Sequence, residues 1–393
     1  YVCSGGSEFS AGALELADRL YINDGKGNFS RSAQVLPALG FESSSCVRAG
    51  DYDGDGDLDL FVGTRLKPAA YGYPCKSYIL QNNGRGIFKD VTPQVAPALL
   101  KAGMVTDAQW IDYDRDGSID LVVTGEYMPV TVFRNHAATL QEMTQTAMTQ
   151  KTNGWWNRLI VADLNADGYP DLIAGNHGLN SRFRATDQKP VSMYVSDFDG
   201  NAAVEQIITC YNGDGTYPMA LRHDLVSVLP YLKKKYLKYE NYKLQTVQDI
   251  FTTQQLEQAT RLYAFELRSA VFINDTRGGF ELQPLPTAAQ LSPVYAIVAT
   301  DIDADGHTDL VMGGNFYESK PEVGIYDASY GTVLKGDGKG GFSVMDPRSS
   351  GLQVRGAVRD ALLLHTAGKK QLLVIAKNNA PLQVQQLINK PVR

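Results

Sequence analysis

The chain has 393 residues, 44 % of them hydrophobic and 20 % charged, and a formal net charge of −6. This is ordinary globular composition with enough apolar residues for a sizeable core, and the negative balance excludes a general electrostatic pull toward nucleic acid or anionic lipid. No apolar run approaches the roughly eighteen residues that span a bilayer, and no secretory leader is visible.

The chain opens on a strand-like run, Tyr1-Val-Cys-Ser-Gly5, that matches Leu121-Val-Val-Thr-Gly125. On that register an aspartate would stand just before Tyr1, so the true beginning is expected to be missing. Membrane association would then need an N-terminal anchor outside this sequence or a partner protein. Next comes Leu20-Tyr-Ile-Asn23-Asp-Gly-Lys-Gly27-Asn-Phe29, an apolar strand, a Gly/Asn turn and a Phe, which is a hairpin signal. The same signal returns at 78–88, 271–280 and 333–342. Four cysteines, Cys3, Cys46, Cys75 and Cys210, permit three pairings if all are oxidised. Free buried thiols remain the other reading, and the lack of a C-x-x-C argues against structural zinc.

Between the hairpins lies the dominant pattern. Asp51-Tyr52-Asp53-Gly54-Asp55-Gly56-Asp57-Leu58-Asp59 places carboxylates at positions 1, 3, 5 and 9 of a loop, with glycine at 6 and an apolar strand directly after it. The pattern recurs with Asp112, Asp114, Asp116 and Asp120, with Asp163, Asn165, Asp167 and Asp171, and with Asp301, Asp303, Asp305 and Asp309. A degenerate fifth copy has Asp197, Asp199, Asn201 and Glu205, but Ala202 where the glycine belongs. So many like charges in one turn repel unless a hard cation intervenes, and Ca²⁺ takes six to eight such oxygens. Glycine lets the backbone turn sharply around the ion. Four to five structural Ca²⁺ ions are therefore expected. An EF-hand is excluded, because its loop needs Glu at position 12, where this chain has Val62, Val123, Ala174 or Met312.

Within 218–268, Leu225, Leu229, Leu232, Tyr236 and Tyr239 recur at helical steps, broken or restarted at Pro230. A second helix is predicted from Thr253 to Leu262, capped by Thr252 or Thr253. Lys233-Lys234-Lys235, the one basic run, fits a solvated helix face. This stretch reads as a helical insertion in the unit that carries the Asp197 loop. The C-terminal runs at 354–364 and 371–379 look like one more unit that has lost its acidic loop. One strand before each loop, one after it and two in the hairpin make four strands per unit. That count predicts an all-β fold, a single β-propeller over 1–393 of about seven antiparallel blades, the first incomplete.

The run Asp-x-Asp-x-Asp-Gly-x-x-Asp-Leu-x-x-Gly resembles the FG-GAP/VCBS repeats of the integrin α-subunit head. Val2-Cys-Ser-Gly-Gly-Ser-Glu-Phe9, Gly154-Trp-Trp-Asn157 and Gly175-Asn-His-Gly-Leu-Asn-Ser181 resemble the surface VCBS-repeat proteins of Bacteroidetes and the cartilage acidic protein group. The resemblance implies that side chains at positions 1, 3, 5 and 9 hold the ion together with the carbonyl of position 7, which is Asp57, Ser118, Tyr169, His307 or, in the degenerate copy, Ala203. It implies an extracellular or cell-surface setting, including the exterior of a bacterial outer membrane, where millimolar calcium would fill such loops.

Metal loops and hairpins would share one face, leaving the long connections 64–77, 125–131, 175–191 and 314–331 on the other, where loops carry function. Trp155, Trp156, His177, Arg182, Arg184, Tyr127, Asn315 and Tyr317 are the candidate ligand-binding residues there, with Tyr71 and Tyr73 nearby. Aromatics beside polar groups suit a glycan or protein partner; Trp155 and Trp156 could equally plug the channel as core. Catalytic residues are not evident: no histidine pairing, nucleophile elbow, P-loop or dinucleotide fingerprint occurs in a suitable context. The expected function is non-catalytic binding, with a carbohydrate-active enzyme (glycoside hydrolase or lyase) on the same scaffold as the alternative, since a carboxylate pair needs no local motif.

Overall fold

The computed structural model describes residues 1–36, 42–368 and 370–387. The described strands form seven antiparallel sheets, numbered here by first strand. Sheet 1 pairs Tyr21–Asn23 with Phe29–Arg31. Sheet 2 runs Ser43–Gly50, Asp59–Leu66, Tyr78–Asn82, Phe88–Asp90. Sheet 3 holds Met104–Ile111, Asp120–Met128, Thr131–His136 and Thr139–Glu142, with Gly154–Trp155 added beside the far end of its second strand. Sheet 4 runs Arg158–Ala162, Asp171–Gly175, Ala270–Asn274, Phe280–Pro284. Sheet 6 runs Val294–Thr300, Asp309–Gly314, Thr332–Gly336, Phe342–Val344, and sheet 7 is Val358–His365, Gln371–Lys377, Gln383–Leu387.

Strands this apolar must be covered on both faces, and the core shows how. Phe61 and Ile79 of sheet 2 pack with Leu121 and Val123 of sheet 3. Val122 and Val132 on the other face of sheet 3 meet Leu172 and Phe272 of sheet 4. Ile173 and Val271 continue onto Leu310 and Met312 of sheet 6, whose Val311 and Val333 meet Leu373 and Ile375 of sheet 7. At the start of the series, Tyr1 and Cys3 lie against Leu60 and Leu80 of sheet 2. The first strands of sheets 2, 3, 4, 6 and 7 touch in succession. They also meet across a shared space: Arg158 of sheet 4 reaches Asp360 of sheet 7 at 2.9 Å. Successive four-stranded sheets stacked face to face around their first strands are consistent with a propeller-like fold.

Sheet 5 departs from this order. Its strands run Gly215–Pro218, Glu205–Asn212, Val191–Ser196, Thr260–Ala264, so the last strand pairs with the first instead of the third. The hairpin at 271–280, which follows the Asp197 loop in sequence, belongs to sheet 4: Leu172 pairs with Phe272 and Ile173 with Val271. Residues 176–269 are thus inserted between the second and third strands of sheet 4, and the helical stretch is only part of that insertion. Leu225, Leu229, Leu232 and Tyr236 do form one apolar cluster, against Tyr194 and Ile207 of sheet 5. The helix capped by Thr252 ends at Gln258 rather than 262, because residues from Thr260 onward hydrogen-bond as a strand to Val191–Val195. All four cysteines are free thiols. Among the described residues no helix is long and apolar enough to cross a membrane.

A second regularity is invisible in the sequence. First strands of sheets 2, 3, 6 and 7 each carry a register break, at Ser44/Cys46, Val105/Asp107, Val294/Ala296 and Val358/Asp360. Such a bulge turns one extra side chain out of the ladder. The residues so released, Ser45, Thr106, Tyr295 and Arg359, all line one cavity where the first strands begin.

Candidate functional site: an acidic clasp at one strand end, an aromatic cup at the other

Each nine-residue loop is held by the same bonds. The first aspartate accepts from the amide of position 6, at 3.0 Å for Asp51 and Gly56, 3.1 Å for Asp112 and Gly117, 2.9 Å for Asp163 and Gly168, and 3.0 Å for Asp301 and Gly306. The fifth residue accepts from the amide of position 7, as Asp55 does from Asp57 at 2.9 Å. Positions 4 and 6 are both left-handed. Ala202 adopts φ +66° in the degenerate loop, where the other copies have glycine, and its amide still reaches Asp197 at 2.8 Å. Arg115, Ala166 and Ala304 take the same unfavourable sense at position 4, which the glycine at position 6 alone did not reveal.

In the four full copies the ninth carboxylate is buried and each of its oxygens accepts a backbone amide. Glu205 of the degenerate copy accepts one, from Phe198 N at 3.0 Å. Asp120 accepts from Tyr113 N at 3.1 Å and Asn135 N at 2.7 Å, joining loop start to third strand. Asp171 does the same with Leu164 N at 2.8 Å and Asn274 N at 2.8 Å. The clasp also reaches the neighbouring sheet through the carbonyl of position 2. Asn135 Nδ2 donates to Tyr52 O at 2.6 Å, Asn274 Nδ2 to Tyr113 O at 2.9 Å, and Gly340 N to Leu164 O at 3.3 Å.

Carboxylates of Asp51, Asp53 and Asp59 converge with ligand atoms within 4.8 Å of one another, as do those of Asp112, Asp114 and Asp120, of Asp197, Asp199 and Glu205, and of Asp301, Asp303 and Asp309. Burial, with the nearby aspartates adding to it, raises Asp59 and Asp171 to about 6 and Asp120 to about 7. Such a cluster is poorly accommodated as bare charge. Asp303, 4 % exposed, keeps Oδ1 without a hydrogen-bond partner, and this all-oxygen donor set fits a hard divalent cation. The loops differ in their surroundings. Arg134 Nε lies 2.7 Å from Asp114, and Lys335 bridges Asp303 and Asp305. Asp53 instead accepts from the uncharged Gln81 at 2.7 Å. In the third loop Asn165 replaces a carboxylate, leaving Asp163, Asp167 and Asp171 as its acids. The position-7 residues Asp57, Ser118, Tyr169, Ala203 and His307 are placed by their amide bonds to position 5.

The strand Asp120–Met128 links this end to the other. At roughly 3.3 Å per residue, Glu126 and Tyr127 lie about 20 Å from Asp120. There they border a cavity of about 280 Å³ together with Arg65, Trp155, His177 and Phe183, and with Tyr295, Phe316 and Tyr326 from sheet 6 and its long connection. Trp155 is ringed edge-on by Tyr127 at 5.4 Å, His177 at 4.9 Å and Phe183 at 4.7 Å between centroids. Fully buried Asn176 sets two of these: its Oδ1 accepts from Trp155 N at 3.1 Å and His177 N at 2.8 Å. Glu126 accepts from Arg65 at 2.6 Å and from Tyr71 OH at 2.8 Å. Burial lowers His177 to about 4, so its ring is neutral at pH 7. A wider cavity of about 520 Å³ over the first-strand ends shares Arg65, Asn157, Tyr295 and Phe316 with this cup.

Of the sequence-derived ligand residues, Tyr127, Trp155, His177 and Arg182 line the cup. The others do not. Trp156 is wholly buried, its Nε1 donating to Thr152 O at 2.8 Å, because it packs between sheets 3 and 4. Arg184 caps its own turn through the Phe183 carbonyl at 2.7 Å. Asn315 is a buried staple, donating to Ser329 O at 2.8 Å. Tyr317 is exposed outside the cup. Arg65, Glu126, Phe183, Tyr295, Phe316 and Tyr326 were missed; Glu126, directly before Tyr127 in a loop already singled out, could have been found.

Residues 7–62 and 112–174 match the family model described as FG-GAP-like repeat. No curated protein matches the chain. Among solved structures, a lectin of Agrocybe aegerita recognising non-reducing terminal N-acetylglucosamine is 15 % identical, with TM-score 0.34, over 93 % of this chain and 87 % of its own. The exotype rhamnogalacturonan lyase YesX is 11 % identical, TM-score 0.35, over 87 % of this chain and 54 % of its own. Trypanosoma rangeli sialidase in complex with sialic acid is 10 % identical, TM-score 0.24, over 97 % and 58 %.

Proposed function

This chain is an FG-GAP-repeat protein, and from that premise we propose a calcium-stabilised β-propeller, at the cell surface or outside it, that binds a glycan or protein partner without catalysis. Sheets 1 to 4, 6 and 7 form the ring, six blades with the first incomplete, and sheet 5 with its helices stands outside it as a lobe. Calcium sits in the loops at positions 1, 3, 5 and 9 and adds an ionic tie between the first two strands of a blade, where the clasp already joins them. The partner binds on the opposite face.

The observation that carries this reading is the cup at that face, a preformed cavity at the meeting of three sheets and the lobe. Binding is favoured over glycoside hydrolysis because hydrolysis in most families uses two carboxyl groups flanking one bond. Glu126 is the only carboxylate among the described residues of the cup, and it is committed to Arg65 and Tyr71. A screen of glycans and candidate protein partners in calcium, run beside turnover assays on the same glycans, tests this. Retained ligand without turnover is expected. Turnover abolished by Glu126→Gln would establish the enzyme instead.

A further inference from the structure

We propose that the aromatic cup is a subsite for a single pyranose ring at the end of a glycan, whose remaining residues lie over the wider cavity at the first-strand ends. This rests on the binding-propeller reading and names its ligand class.

Three rings of the cup end in polar atoms that nothing in the protein satisfies. Tyr127 OH, Trp155 Nε1 and His177 Nε2 are all buried without a hydrogen-bond partner. The phenol and the indole N–H lie near each other but form no aligned bond. Native proteins rarely bury such groups unpaired, since each costs free energy, and three in one cavity point to partners that arrive with a ligand. Tyr127 is also held at φ +59°, an unfavourable sense for a bulky residue, opposite a register shift between Gly154 and Trp155. Strain of this kind gathers where a side chain must be aimed.

The chemistry of the three groups narrows the ligand. The indole offers a donor; the phenol and the neutral imidazole each offer a donor or an acceptor. All sit on ring edges, so polar points alternate with aromatic carbon. Trp155 is enclosed edge-on by three rings, so it offers no open face for stacking. A pyranose has the matching surface, hydroxyls at its rim and C–H groups between them. Arg65 and Glu126 neutralise each other, so the cup does not select for a formal charge, although Arg182 at its edge stacks on Phe183 at 5.6 Å. The volume of about 280 Å³ lies at the small end of ligand pockets (roughly 300–1,000 Å³). That admits one ring and leaves linked residues to the adjoining cavity.

The test is titration of the full chain, in calcium, with methyl hexopyranosides, N-acetylhexosaminides and uronic acids, followed by calorimetry and tryptophan fluorescence. Wild type is compared with Tyr127→Phe, Trp155→Phe, His177→Gln and the outlying Tyr317→Ala, each checked by thermal melt. At least one pyranoside is expected to bind and change the emission of Trp155. Tyr127→Phe and His177→Gln should each weaken binding by about tenfold, the equivalent of one hydrogen bond to a buried group, and Tyr317→Ala should not. Preference for the uronic acids would assign Arg182 to a carboxylate; preference for the neutral sugars would leave it at the rim. Sugar binding unchanged in every cup variant would move the site elsewhere and leave the binding propeller standing. A protein partner blocked by the cup variants, with no sugar bound, would overturn the pyranose alone. No ligand of either kind would overturn both.

Discussion

At the loop end of Asp120–Met128, both oxygens of Asp120 are taken by backbone N–H groups and the loop carbonyl is taken by the next sheet. At the other end, Tyr127, Trp155 and His177 leave polar atoms unpaired inside a cavity. The two ends are some six residues apart on one strand and obey opposite rules. The repeated end commits its ninth carboxylate and its loop carbonyl to backbone and staple bonds, as a mechanical joint should, and the oxygens it leaves over, such as Asp303 Oδ1, belong to the acidic clusters. The variable end forgoes bonds within the fold, which is affordable where a ligand supplies them. On this strand, the use of the carboxylate at one end and the unpaired ring atoms at the other separate what joins the sheets from what lines the cavity.

The largest test of that contrast is metal removal. With calcium in the loops, each site held at a hundredfold its Kd adds about 2.7 kcal/mol, so a chelator should lower the melting temperature by many degrees; an unchanged melt would take the metal out of the joint. Asp120→Ala should come next. It strands two backbone donors at about 1–3 kcal/mol each, a loss of roughly 3 kcal/mol read from denaturant midpoints, and a loss below 1 kcal/mol would break the comparison from the loop side. Acidification probes the cup side. His177 is held near 4, below the ordinary value of 6.5, so the unfolded chain binds the proton more readily and stability falls as pH drops from about 6.5 toward 4. The difference is at most about 3 kcal/mol, and His177→Gln should remove that part of the pH dependence. Smallest is Lys335→Met, which strips a cation from Asp303 and Asp305 and should tighten divalent binding at that loop a few-fold, as seen by calorimetry, since ligand charge tunes calcium affinity.

The loops were legible because their chemistry is local: nine consecutive residues carry the acids, the turn and the start of the strand. The helical face of 218–268 was legible for the same reason, its apolar residues recurring along one segment. The place of sheet 5 was not. The Asp197 loop is marked by Ala202 and Glu205, but neither says which sheet the next hairpin joins, and the decisive pairing, Leu172 with Phe272, spans the whole insertion. Of the eight candidate ligand residues four line the cup, each of them in or beside a long connection where aromatic and polar residues cluster. The rest of the cup comes from segments distant in sequence, the strand residues Arg65 and Tyr295 and the loop residue Tyr326 among them, which local reading does not bring together. Trp155 and Trp156 show the limit sharply. Adjacent and identical, they point to opposite sides of an extended chain, and one reaches the cup while the other fills the core.

The insertion within sheet 4 has a consequence for how the molecule is made. A ribosome adding about 5–20 residues per second must release residues 176–269 before Ala270–Asn274 can reach its place, so the edge of Asp171–Gly175 waits on the order of ten seconds for a neighbour. An open apolar edge invites pairing with the wrong chain. A lobe that folds early would bring its two ends together and replace a long, floppy closure with a short one. Beyond its position beside the cup, sheet 5 would then serve during synthesis as the clamp that lets the fourth sheet finish.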